Sequence, residues 1–281
     1  TANIASTTYY NLTANGTDTL SGNVTTTNNL TVNSGKSLNL STYNVVVGAN
    51  LNNSGTVTHT SGSVNMTGTG NLGGSGNTTL YAINIIGTVT LAGTVTSTAT
   101  TTVSGTLNGS SQTLKLTAPG IPFIITGTFT ADTSHIEYYG DGAQITTNTT
   151  YYVLDLYNGS KTLNGDIVVG GLYLYLNSGT LTQSTGTVTM AGNGFFGGAN
   201  GTDFTLYNLV LSSSTHQMYS SVTTTNVLTI NSGLNGGVDP TLTMNLTGTG
   251  TPLINNGTIT TSTVTFSGAT ASIASTTYYN L

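Results

Sequence analysis

The sequence contains no cysteine, no tryptophan and no arginine, and only 4% of its 281 residues are charged. Each shortage excludes something. Without cysteine there is no disulfide framework and no thiolate metal site. The only basic side chains are Lys36, Lys115 and Lys161, too few to neutralise a run of phosphates, so nucleic acid is not expected as a partner. No apolar run approaches the roughly 18 residues of a membrane span. Eight acids against three lysines give a net charge of −5. So small a charge offers little repulsion between molecules, and self-association is the expected partnership.

Thr, Asn, Ser and Gly fill the space that charge leaves. The hydrophobic fraction is still 36%, and β-branched residues alternate regularly, which argues against disorder. NLTVN (29–33), SLNLS (37–41), GTVTLAGTVT (87–96) and TVTM (187–190) alternate apolar residues with Thr or Asn. That is the period of a strand with one face buried. Gly, Asn-Gly or Ser-Gly follows every six to ten residues and supplies the positive φ needed to turn a corner. No stretch carries helical periodicity with caps.

The chain repeats itself. TANIASTTYYNL (1–12) returns as TASIASTTYYNL (270–281). Tyr-Asn-Leu or a close variant starts at Tyr10, Tyr81, Tyr152, Tyr207 and Tyr279, in steps of 71, 71, 55 and 72 residues. These steps divide the chain into units of about 10–80, 81–151, 152–206 and 207–278. A second marker, Gly-Thr-apolar-Thr, opens at Gly55, Gly127, Gly179 and Gly257. The third unit is short by 18 or 19 residues between its Tyr and its Gly-Thr marker. A stacked coil can lose a whole turn but not half of one, so the deficit measures one turn.

Turns of about 18 residues, with four in a full unit, predict an all-β parallel β-solenoid. Residues 1–281 then form a single continuous solenoid of roughly 15 coils, about 70 Å long, without capping repeats. Spacing suggests inward ladders of Leu12, Leu30, Val47, Val64 and Ile83, and of Leu20, Leu38 and Val57.

TTYYNLT, GTVT and LTVNSG, in units of this size, resemble the repetitive β-solenoid surface proteins of bacteria and archaea. Among these are the stalks of filamentous adhesins and of autotransporter passengers. The resemblance implies a structural filament or stalk at the cell surface, adhesive or sheath-forming, and transfers no catalytic residue. On that reading the chain continues head to tail, through Tyr9, Tyr10, Asn11 and Leu12 at one end and Tyr278, Tyr279, Asn280 and Leu281 at the other. It does so either within a longer tandem-repeat polypeptide or between stacked copies that bundle into fibres.

Asp132, His135, Glu137 and Asp141 form the densest polar cluster and are the candidate metal ligands, but strand alternation turns His135 and Glu137 outward onto a solvated face. GGANGTD (197–203) lacks the stacked copies that a calcium-binding glycine repeat requires. His59 and His216 read as isolated and exposed. Each Tyr pair (9–10, 138–139, 151–152, 278–279) places one ring inward, as core. No enzyme is expected: β-helix lyases typically use an arginine or lysine near acid-held calcium and the hydrolases clustered aspartates, whereas this chain has no arginine and scattered carboxylates; no cofactor is assigned. The alternatives are an ice-binding surface adhesin, because Thr-x-Thr recurs at 56–58, 88–90, 94–96, 187–189, 258–260 and 263–265, or a carbohydrate-binding one with a Tyr ring as sugar platform; a polysaccharide-degrading β-helix enzyme is the remote alternative. Irregular spacing along the chain speaks against one flat Thr face. Sequons at Asn11, Asn29, Asn39, Asn65 and Asn245 are possible glycan acceptors on an exported chain.

Overall fold

The computed structural model describes residues 2–199, 202–213, 215–235, 241–260 and 263–273. Every regular element among them is a β-strand, and every strand pairing is parallel. The chain is a parallel β-solenoid of about 13 turns. It divides into two compact units, residues 1–139 and 140–281.

In the first unit each turn contributes three short strands, one to each of three sheets. The first sheet stacks Asn3–Ile4, Thr17–Leu20, Ser37–Asn39, Thr56–Thr58, Asn77–Leu80, Val95–Ser97, Thr113–Leu116 and His135–Tyr138. The second stacks Thr8–Tyr9, Val24–Thr26, Val45–Val47, Ser63–Met66, Ala82–Ile85, Thr101–Val103 and Phe123–Ile125. The third stacks Leu12–Ala14, Leu30–Val32, Leu51–Asn53, Thr69–Gly73, Thr88–Leu91, Thr106–Asn108 and Thr128–Thr130. Alternate residues face inward, and the core is a set of aliphatic ladders. Leu12, Leu30, Leu51 and Leu72 stack in the third sheet, and Val45, Val64, Ile83 and Thr101 in the second.

The second unit is built the same way from six to seven turns, but its strands are longer. Thr149–Leu156, Ile167–Leu176, Asp203–Leu211 and Val222–Ile230 each run through a corner; Thr149–Leu156 pairs along both its halves with Ile167–Leu176, and Asp203–Leu211 with Val222–Ile230, whereas Ile167–Leu176 and Val222–Ile230 each pair with two different strands of the next turn. At one such bend Gly171 passes over the ring of Tyr152, where a Cβ would come within 2.3 Å of Cδ2.

Turn length is not constant. Residues in register are 16 apart at Asn3 and Thr19 and 22 apart at Thr106 and Thr128. In the second unit the separation ranges from 18 (Ala143 to Lys161) to 25 (Leu228 to Leu253). The corners absorb the difference, which is why about 13 turns occupy a length for which a uniform 18-residue period gives roughly 15. It also corrects the ladders inferred from spacing. Leu12 and Leu30 belong to the third sheet, whereas Val47, Val64 and Ile83 belong to the second. Leu20 is two residues past Asp18, the true partner of Leu38.

The repeat is likewise not a whole number of turns. The Gly-Thr marker at Gly55 leads into the first sheet, and the marker at Gly127 leads into the third, eleven strands later. Three strands make a turn, so one repeat spans three turns and two-thirds. In the second unit the markers at Gly179 and Gly257 are again eleven faces apart and lead into different faces of the turn. Equivalent residues of consecutive repeats therefore look out from different faces, and a full unit does not contain the four whole turns expected from its length.

Two kinds of column hold the corners. Asn stacks on Asn: Asn11 Oδ1 accepts the Asn29 N–H (3.1 Å), Asn29 Oδ1 accepts Asn50 Nδ2 (2.8 Å), and Asn50 Oδ1 accepts the Asn71 N–H (2.8 Å). Asn23, Asn44 and Ser63 repeat the pattern at another corner. Such side chains satisfy donors that a turn leaves without a ladder partner. Gly stacks on Gly at Gly48, Gly68, Gly87, Gly105 and Gly127, so close that a Cβ on any of the last four would lie within 2.2 Å of the carbonyl oxygen of the glycine one turn before. This backbone approach is the physical content of the Gly-Thr marker.

Candidate functional site

The polar cluster at residues 132–141 does not converge. Asp132 sits in a turn with φ +47 and is exposed. His135 and Glu137 point outward from the strand His135–Tyr138, flanking the buried Ile136. Glu137 Oε2 is 3.5 Å from Lys115 Nζ, its register partner one turn below, and the same ammonium lies 5.7 Å from the Tyr139 ring centroid. Asp141 belongs to the second unit, where its Oδ1 accepts the Ser160 N–H at 2.8 Å. That bond holds its carboxyl below the usual carboxylate range. Among the described residues no three His, Asp or Glu side chains gather as a metal site. The centre of GGANGTD lies outside the described residues. Its Gly198 N–H is bound by Ser220 Oγ at 2.8 Å.

The histidines correct an expectation. His59 and His216 are 6% and 0% exposed, not surface residues. The Nε2 of His59 is 2.8 Å from the Tyr43 carbonyl, and burial lowers its pKa. Both positions fall on the inward phase of their strands or corners, a phase that a count of isolated histidines does not reveal.

Lys161 was legible only as a charge. It faces inward, fully buried, in register with Ala143 and Leu181, and its ammonium donates to the Asn158 carbonyl. Desolvation pushes its pKa down, and the nearby Asp141 opposes that. The alternation Lys161-Thr162-Leu163 was the available signal, since Leu163 fixes which phase is inside.

Two of the Tyr pairs place one ring in the core as expected. Tyr138 and Tyr151 are fully buried, and Tyr151 Oη donates to the Thr146 carbonyl at 2.8 Å. Tyr10 is 73% exposed beside the half-buried Tyr9, whose hydroxyl donates to the Ala5 carbonyl. Leu12 stacks on Leu30. Tyr278, Tyr279, Asn280 and Leu281 lie outside the described residues.

Of the sequons, Asn11 and Asn29 have their side chains engaged in the corner column, and Asn65 bonds Ser63 and Asn84. Asn245 is half-buried between Thr223 and Thr265. Asn39 is exposed, and its Oδ1 accepts the Ser41 N–H at 2.8 Å.

Two outer-face patterns remain. In the second unit Tyr173 stacks on Phe195 (4.6 Å, 14°), Phe195 lies 4.3 Å from Tyr219, and Tyr175 meets Phe195 and Tyr219 edge-on. Gly197, in register with Tyr175, has φ +127, and a Cβ there would meet the Ser220 backbone nitrogen at 2.8 Å. The Tyr173 hydroxyl donates to the buried Asp155. The rings pack against each other on the outer face, where Tyr219 remains 49% exposed.

The other pattern lies on the third sheet of the first unit. Thr69, Thr88, Thr106 and Thr128 stack in one outward column, and Asn71, Thr90, Asn108 and Thr130 in the next. The irregular spacing along the chain becomes regular in space, because the corners take up the variable residues. No family model, curated protein or solved structure matches this chain.

Proposed function

We propose that the chain is a structural filament or stalk protein at the cell exterior, mechanical in action and without catalytic chemistry. The continuous corner columns carry this reading. Asn side chains bond successive turns from Asn11 to Asn71 in addition to the sheet ladders, and glycine backbones pack directly on the turn before from Gly48 to Gly127. Redundant bonding along one axis suits a rod that bears load or resists proteases. The small net charge of −5 favours association with copies of the same chain, within one tandem-repeat polypeptide or between stacked or bundled chains. Electron microscopy of native material, together with its mass after full denaturation, tests the reading. Rods with the width of a single solenoid support it, and a mass several times 28.6 kDa assigns them to one long polypeptide. Compact, non-fibrous particles overturn it.

A further inference from the structure

We infer that the third sheet of the first unit is an ice-binding face. The eight outward positions Thr69, Asn71, Thr88, Thr90, Thr106, Asn108, Thr128 and Thr130 form two columns on four consecutive rungs. Rungs repeat at about 4.8 Å and positions two apart on a strand are about 6.7 Å apart. The result is a nearly rectangular mesh of hydroxyl and amide groups, close to the spacing of water oxygens on a prism face of hexagonal ice.

Three features set this mesh apart from an ordinary Thr-rich surface. First, it bears no charge, so nothing in it holds a tightly ordered hydration shell incompatible with a neutral lattice. Second, the adjoining column is Gly68, Gly87, Gly105 and Gly127, which has no side chains and leaves one edge of the mesh flat. Third, its hydroxyls are available. At the neighbouring corner Thr67, Ser104 and Thr126 turn back onto the carbonyls of Val47, Ile85 and Val103. Among the described residues, no hydrogen bond within the chain engages the hydroxyls of Thr69, Thr88, Thr106, Thr128 or Thr130, and Thr90 only accepts a long one from Asn108 (3.4 Å). Each methyl and hydroxyl pair can order water at a lattice site without first breaking a bond to the protein. The first sheet lacks this regularity: its outer column ends in Lys115 and Glu137.

The inference does not depend on the filament reading, because a lone soluble solenoid with this face would also bind ice. The test is growth of single ice crystals in the protein solution, with folding checked by circular dichroism. The wild type is expected to facet the crystals and hold freezing below melting. Thr88→Lys, at the centre of the mesh, abolishes both effects. Thr58→Lys, an equally exposed hydroxyl on the first sheet, leaves them intact. Rounded, unshaped crystals with folded wild type overturn the inference, as does a Thr88→Lys variant that still shapes ice.

Discussion

Asn50 donates its side-chain amide to Asn29 Oδ1 at 2.8 Å, and its own Oδ1 accepts the Asn71 N–H at 2.8 Å. Residues 21 apart on either side are thus joined through one side chain. Asn50→Ala removes both bonds and leaves the Asn71 N–H without its acceptor. The expected cost is about 1–2 kcal/mol, at about 1 kcal/mol per hydrogen bond. Urea unfolding measures the loss, and amide exchange locates it. The Asn71 amide should exchange faster while amides of the second sheet keep their protection.

Gly87 marks the limit of tolerance at the glycine column. A Cβ there would sit 2.0 Å from the Gly68 oxygen and 2.6 Å from its carbon, both backbone atoms that cannot rotate away. Gly87→Ala should cost about 3 kcal/mol or more, the upper range for overpacking. Gly35 is the control. It has φ +69 but open space around the added carbon, so Gly35→Ala should cost only about 1–2 kcal/mol, the left-handed backbone penalty. Equal effects in thermal melts would refute the stacked-carbonyl account.

His59 makes stability depend on pH. Burial lowers its folded pKa below the ordinary 6.5, while its one hydrogen-bonded nitrogen faces the Tyr43 carbonyl. The unfolded chain therefore takes up a proton that the folded chain refuses. Stability is complete above the unfolded pKa and falls as the pH drops below about 6.5 towards the lowered folded value. Urea midpoints between pH 7.5 and pH 5 should decline, and His59→Gln should flatten part of the decline. A slope unchanged by the substitution would assign it to other groups.

Lys161 carries a buried charge in an aliphatic ladder, between Ala143 and Leu181. Methionine has similar length and no desolvation penalty. Lys161→Met is expected to be neutral or stabilising by about 1 kcal/mol or more, as when buried ionic groups are replaced by apolar ones of like volume. A loss of several kcal/mol would show that the bond from its ammonium to the Asn158 carbonyl is essential to that corner.

Whole turns should be removable. Thr88 is in register with Thr106, so deleting residues 88–105 joins Gly87 to Thr106 and restores the same ladders one turn shorter. The shortened chain should fold with a similar far-ultraviolet spectrum and a slightly lower midpoint. Deleting only 88–96 places the following strands on the wrong sheets and should prevent folding. Comparable spectra and melts from the two deletions would contradict the three-sheet assignment.

The sequence by itself determined the strand period, the parallel stacking and the loss of whole turns. These follow from local alternation at Leu30–Val32 or Thr187–Met190, from glycine and asparagine at corners, and from the 18- to 19-residue deficit of the third unit. Each is a property of neighbours in the chain or of differences between repeats. Tertiary structure alone decided which residues share a sheet. Corners of different length feed strands of nearly constant length, so a fixed count of 18 drifts from Leu30 on the third sheet to Val47 on the second. The same cause hid the eleven-strand repeat, the burial of His59 and His216, and the mesh of Thr69, Thr88, Thr106 and Thr128. Register in a solenoid is set by hydrogen bonding between turns, and the spacing of residues along the chain records it only after the corners are known.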